Sequence, residues 1–332
     1  GPWLTLCVLL LCGPTVGVQA APSLAEMVAA ATARNPGLEL AGAERGVAEA
    51  LRRKAEQPFA DAPRANIKYQ TDAIGSDLGY REWEGGVELP LWLPGQSDHY
   101  AREAEHGLAV SDSMDDAKRL EIAGEVRERL WAVAIARSES AQNHSALQLA
   151  KGLLTDVQRR VEAGELPRSD LLLAEQEALL RQEAVQQANI RTTQAERLLN
   201  RYIGLDAPTV SQRETPPTEV TLSPEHPKLR LARRRMDQAR AHRDRVSGER
   251  RQGPNLWLGG KSVKVATGAD HESAVGVELS MPFGGGAHTA PALAEAEAAL
   301  TQAQVEYNDT RLALEDTLTL ARLELERANA TL

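Results

Sequence analysis

Aromatic residues are scarce in this chain: they make up 4% of 332 residues, and phenylalanine occurs twice. A compact core of that size normally draws on large rings for much of its buried area. Their scarcity, with abundant Ala, Leu, Glu and Arg, points to long helices packed side by side. Cysteine is scarcer still. Cys7 and Cys12 are the only two, and both fall in an N-terminal apolar stretch, so the rest of the chain has no disulfide framework and no thiolate metal site. Positive charge is outweighed, with a net charge of -9, which argues against a nucleic-acid partner. Catalytic signatures are also missing. The seven histidines are scattered, and no HExxH, GxSxG or phosphate-loop pattern occurs. The glycine-rich "FGGGAHTA" at 283–290 lacks a phosphate-loop lysine. The chain is expected not to be an enzyme and to need no cofactor and no metal.

What is present begins with "WLTLCVLLLCGPTVGV" at residues 3–18, too short and too broken by Gly and Pro for a membrane span. It runs into "VQA", with small residues where a signal peptidase reads. This predicts a secretory signal peptide, residues 1–20, cleaved after Ala20. The alternative is a buried N-terminal helix. The basic leader is missing and the chain opens on Gly1, so the N-terminus is expected to be clipped. Lipid attachment at Cys12 is disfavoured by the bulky Leu11 before it.

The chain repeats itself. "NPGLELAGAE" at Asn35 is echoed by "HPKLRLARRR" at His226. Pro36 and Pro227 stand 191 residues apart, as do Pro63 and Pro254. "GVEL" recurs at Gly86 and Gly276, 190 residues on, and Gly95 and Gly285 share that spacing. Each unit reads as helix, two strands and a very long helix. The expected division is a first repeat over 21–204, with a β-hairpin at 66–92. A Pro- and Thr-rich linker follows at 205–227. A second repeat over 228–332 carries a β-hairpin at 255–283.

Both hairpins alternate with period two. Trp83, Val87 and Leu89 alternate with Glu82, Glu84 and Glu88, and Val275, Val277 and Leu279 flank Glu278. Half-buried soluble sheets do the same, but six of the twelve aromatics (Tyr69, Tyr80, Trp83, Trp92, Trp257 and Phe283) lie in or beside these strands. Trp and Tyr near strand ends suit the two interfaces of a transmembrane barrel. On that reading Trp83, Val87, Leu89, Val275, Val277 and Leu279 face lipid, and Glu82, Glu84, Glu88 and Glu278 face the lumen. If the glutamates of several copies stack, they form acidic rings that favour cations; a merely wet wall is the alternative. Four strands cannot close a barrel, which needs about eight, so a spanning protein must be an oligomer.

From Ser97 to Glu162 there is no proline, and the polar–apolar rhythm predicts one helix throughout. At about 1.5 Å per residue it would run near 100 Å and would need neighbours along its length. Gly164 then ends it, Pro167 forbids continuation, and Ser169 and Asp170 are candidate caps for a helix returning to Gly204.

This corner, "RRVEAGELPRSDLLLAEQEAL", resembles the helical-hairpin tip of the TolC-type outer-membrane efflux protein family. Arg159, Ala163, Gly164, Asp170, Leu171, Leu172 and Ala174 match its pattern. The "NPGLELAGAE" opening and the 190-residue duplication resemble that family too. The resemblance implies an α+β membrane protein: long antiparallel helical hairpins forming an α-barrel, plus four strands given to a trimeric, twelve-stranded β-barrel. It implies an outer-membrane location with the helices in the periplasm, and a passive exit duct for a tripartite efflux or type I secretion system. The implied partners are two further copies of the chain, outer-membrane lipid, a periplasmic adaptor and an inner-membrane transporter. Residues 163–171 are the expected adaptor-docking tip, with Ala163, Gly164, Glu165, Leu166, Pro167, Asp170 and Leu171 as its candidates. A second tip would fall about 190 residues after Gly164, beyond Leu332, so the chain is expected to be a fragment. A rival is a periplasmic coiled-coil adaptor, which also has a helical hairpin but carries a lipoyl-like strand domain.

Overall fold

The computed structural model describes residues 22–205, 214, 220–249, 253–284 and 286–331. The expected signal peptide lies outside the described residues, as does much of the expected linker. In chain order the elements are α1 (Leu24–Arg34), α2 (Gly37–Ala55), β1 (Arg64–Thr71), β2 (Arg81–Pro90), α3 (Gln96–Glu162), α4 (Arg168–Ile203), α5 (Pro227–Gly248), β3 (Asn255–Lys264), β4 (Glu272–Ser280) and α6 (Gly286–Thr331). The fold class is the expected one, long antiparallel helices and a four-stranded antiparallel sheet. The first repeat opens with two helices, not one. Asn35 is extended at φ -86, ψ 115, because the ring of the following Pro36 clashes with a helical residue before it.

Two compact units divide the chain differently from the two repeats. One comprises residues 1–35 and 121–215, and the other residues 36–120 and 216–332. The first therefore draws on the first repeat, and the second on both.

In the first unit, α1, the part of α3 beyond Glu121, and α4 share one apolar core. Ile122, Val126, Leu130 and Val133 recur at helical spacing along α3 and meet Met27 and Ala31 of α1 and Leu199 and Ile203 of α4. A capping box opens α1. The Ser23 hydroxyl accepts from the Glu26 amide at 3.2 Å, and the Ser23 amide donates to the Glu26 carboxylate at 2.7 Å. Farther along, small buried residues (Ala174, Ala178 and Ala188) let α4 approach closely. Thr192 Oγ1 donates to the Ala136 carbonyl on α3 at 3.1 Å, and Arg137 holds Glu196 at 2.7 Å.

The second unit packs α2, the start of α3, α5, the sheet and α6. Beside buried Val110, Leu229 and Val246, several contacts here are small or polar. Ser111 is fully buried and donates to the Ala41 carbonyl at 2.8 Å. A Cβ on Gly107 would lie 2.9 Å from that of Ala48, so glycine sets how closely α2 and α3 approach. Glu103 is 7% exposed. It accepts from Arg245 of α5, and His242 Nδ1 lies 2.9 Å away. Arg245 also holds Glu249 at 2.8 Å and lies 4.9 Å from the Tyr100 ring centroid. Burial first, then the Glu249 carboxylate, pushes the Tyr100 phenol up to about 12.

The sheet order is β1-β2-β3-β4, antiparallel throughout. The two hairpins join through β2 and β3, with Pro90 opposite Asn255 and Arg81 opposite Lys264. Strands β1 and β4 are its edges.

Candidate membrane sheet and hairpin tip

Directly opposed residues of an antiparallel ladder share a face. The register therefore sorts every strand residue. One face carries the rows Leu89–Leu256–Leu279, Val87–Leu258–Val277, Ile67–Gly85–Gly260–Val275 and Tyr69–Trp83–Ser262–Ser273. All six residues expected on the lipid side lie here. Five are exposed, Val275 to 94% and Val277 to 73%, and Leu89 is half-buried. The Tyr69 and Trp83 rings stack at 4.4 Å. Apart from Ser262, Ser273 and the end row Thr71–Arg81–Lys264, this face is apolar across the four strands, and among the described residues nothing covers its edge strands, which are exposed along their length.

The other face carries Gln70–Glu82–Val263–Glu272, Lys68–Glu84–Lys261–Ala274, Asn66–Gly86–Gly259–Gly276 and Arg64–Glu88–Trp257–Glu278. All four expected lumen glutamates lie here. They are not a bare acidic surface. Glu84 stands between two lysines, 3.7 Å from Lys68, and Glu88 is opposite Arg64. The glutamates of β2 are half-buried while Trp83 and Val87 on the opposite face are exposed, as in a sheet curled toward its charged side.

Two aromatics depart from the interfacial role that their position near strand ends suggests. Trp257 points to the charged face, with Glu88 and Glu278 on either side. Its neighbours Leu256 and Leu258 take the apolar face, so the alternation in "NLWLG" carried that signal. Trp92 lies past the end of β2, where its indole N–H donates to the Gln57 carbonyl at 2.9 Å and its ring meets Tyr100 at 5.5 Å.

The hairpin loops lock together. The Asp72 carboxylate accepts from the Leu78 and Tyr80 amides at 2.7 and 2.8 Å and from the Ser76 hydroxyl at 3.0 Å. The Leu78 carbonyl then accepts from the Thr267 amide of the β3–β4 loop at 2.9 Å. The Asp72 contacts are local to the β1–β2 loop, whereas the Thr267 bond joins residues far apart in sequence and leaves no local pattern to read.

In the other unit, α3 and α4 meet at the expected corner. Gly164 has φ +78. Its amide donates to the Val161 carbonyl at 3.0 Å, and the Glu165 amide to the Arg160 carbonyl at 2.9 Å, the paired bonds of a Schellman ending. The N-cap of α4 is Pro167, which offers no side-chain cap. The expected caps Ser169 and Asp170 instead lie in the first turn. The Asp170 amide donates to the Pro167 carbonyl at 3.1 Å, and its charge meets the positive helix end. Ala163, Gly164, Glu165 and Pro167 are exposed, whereas Leu166, Asp170 and Leu171 are half-buried. The large exposed apolar side chains beside the turn are Leu172 and Leu173, at 59% and 65%.

Among the described residues no group of three or more His, Cys, Asp or Glu side chains is placed to hold a metal. No described helix is long and apolar enough to cross a membrane.

No family model and no curated protein matches the chain. Solved structures do. The outer membrane protein VceC from Vibrio cholerae superposes with a TM-score of 0.66 at 18% identity, over 93% of this chain and 81% of that one. The CmeC outer membrane channel of Campylobacter jejuni gives 0.66 at 14% identity, over 92% and 73%. The open state of the MtrE outer membrane channel of Neisseria gonorrhoeae gives 0.64 at 17%, over 93% and 75%. A single exposed apolar sheet face, a long helical hairpin with a glycine-ended tip, and these superpositions agree: the chain has the fold of the TolC-type outer-membrane channels.

Proposed function

We propose that the chain is one subunit of an outer-membrane channel, an exit duct for a tripartite efflux or type I secretion system. The observation that carries this reading is the sheet. Its apolar face is continuous over four strands and exposed, and its edges β1 and β4 present backbone groups that lipid could not satisfy. Each edge must pair with the opposite edge of another copy. Three copies would supply twelve strands, within the range of closed membrane barrels. The helices then lie in the periplasm, and the 163–171 tip docks a periplasmic adaptor that links to an inner-membrane transporter. The glycine-ended turn gives that tip a fixed shape, and Leu166 and Leu171 flank it. A coiled-coil adaptor would not need an uncovered apolar sheet face, which favours the channel.

Membrane fractionation and edge crosslinking test the reading. Both cysteines of the chain lie in the segment expected to be removed, so single cysteines at Ile67 on β1 and Val275 on β4 give a clean pair. Disulfide-linked trimers in the outer-membrane fraction are expected. A monomer extracted without detergent would overturn the channel. Val277→Arg should cost about 2–4 kcal/mol and Lys261→Ala on the other face far less; equal tolerance would reject the lipid assignment. Gly164→Trp and Leu166→Asp should abolish export and adaptor crosslinking while trimers persist. Normal export from both variants would reduce the tip to a plain connection.

A further inference from the structure

The charged face of the sheet contains one large ring, Trp257, beside one row of glycines. Gly86, Gly259 and Gly276 oppose one another across β2, β3 and β4. A Cβ on Gly86 would lie 2.6 Å from both Cε2 and Nε1 of Trp257. One on Gly259 would lie 2.3 Å from Cζ2, and one on Gly276 3.2 Å from Cζ3. Atoms from both ends of the indole thus press on three adjacent strands. That is possible only if the ring lies flat against the sheet, in space that side chains would otherwise fill. Sideways escape is limited, because Glu88 and Glu278 flank Trp257 in its own row.

We propose that this glycine row is a recess that lays Trp257 against the wall and thereby sets the clearance inside the duct. The inference rests on the channel reading, in which the charged face lines the lumen. A ring of this size standing upright on the sheet would project into the passage, once from each copy. Laid flat, it keeps the wall smooth. At Gly86 the nearest atoms to an added Cβ all belong to Trp257, whereas at Gly259 the Gly85 carbonyl oxygen is also 2.5 Å away. Gly86→Ala therefore moves the ring with the least disturbance of the backbone. Gly276→Ala, at 3.2 Å from Cζ3, should move it less.

The test is single-channel conductance of the full-length trimer in planar bilayers, paired with quenching of Trp257 fluorescence by acrylamide. The Trp257 signal is the difference between each variant and its Trp257→Phe counterpart. Gly86→Ala should lower conductance and raise quenching. Gly276→Ala should do both more weakly. Trp257→Ala combined with Gly86→Ala should conduct like Trp257→Ala alone. Unchanged conductance in Gly86→Ala, or a double variant that stays as low as Gly86→Ala, would overturn the recess while leaving the channel reading intact. A wild-type protein that forms no channels would overturn both.

Discussion

The two compact units hold their helices together with different chemistry. In the first, Met27, Ile122, Val126 and Ile203 are completely buried and Leu199 nearly so, and their helices register by the shape of an apolar stripe. In the second, the α3–α5 contact turns on Glu103 and Arg245, with Tyr100 against the guanidinium. An apolar stripe tolerates small shifts along a helix. A buried ion pair does not, because a displaced partner leaves a charge without solvent or counterion. The unit that carries the sheet is thus the one whose helices are fixed by a charge contact. On the proposed channel reading, a sheet that pairs edge to edge with other copies needs its supporting helices in one register.

The largest expected effect breaks that contact. Arg245→Ala should cost about 3–5 kcal/mol in denaturant unfolding, because the buried Glu103 loses its guanidinium and keeps only the His242 ring beside it. Replacing both partners, Glu103→Met with Arg245→Met, should recover most of the loss, since an apolar pair of similar volume needs no counterion. If the double variant were as unstable as the single one, the contact would be acting through packing alone, and the two units would differ less than their chemistry suggests. In the first unit, Ile122→Ala should cost about 2–5 kcal/mol through transfer and cavity terms, with no partner substitution able to rescue it. The smallest effect sharpens the comparison at the start of α1. Ser23→Ala should cost about 0.5–2 kcal/mol. The Ser23 amide, and next its hydroxyl, hold the Glu26 carboxyl below the ordinary 4.5. With the folded pKa depressed, this stabilisation is full above the ordinary value and is lost as pH falls through the depressed one. Unfolding midpoints of wild type and Glu26→Gln should therefore converge on acidification below the glutamate range. A constant gap would remove the capping box as its cause.

Much of this was legible because it is periodic. Strand alternation sorted ten residues into the two sets that the register puts on opposite faces of the sheet, and the absence of proline marked α3 to within a residue of its observed start at Gln96. Gly164 marked the corner because a positive φ suits glycine. Other features have no local signature. Glu103 and Arg245 are 142 residues apart, and neither belongs to a motif. The lysines that flank Glu84 emerge only once the register of three strands is known. Position near a strand end said nothing of which face Trp257 takes; its parity between Leu256 and Leu258 does. The caps of α4 were misassigned because the helix opens at Pro167, only two residues after the Schellman turn closes at Glu165, which leaves Ser169 and Asp170 already inside it. The boundary between compact units falls within α3, at Leu120, where the helical pattern runs on without a break.

The join between the two hairpins bears on the order in which the chain assembles. Each hairpin closes locally, but β2 and β3 pair residues between 165 and 183 positions apart. Loop-closure entropy must be met before such contacts contribute, and folding slows as contacts become less local. Helices and single hairpins can form within their own segments, whereas zipping β2 to β3 waits until α3, α4 and α5 have brought the two halves together. Until that step each hairpin has two open edges and an uncovered apolar side. The interval before the zip is therefore when the chain is most exposed to aggregation, and when a chaperone that shields short amphipathic strands would act.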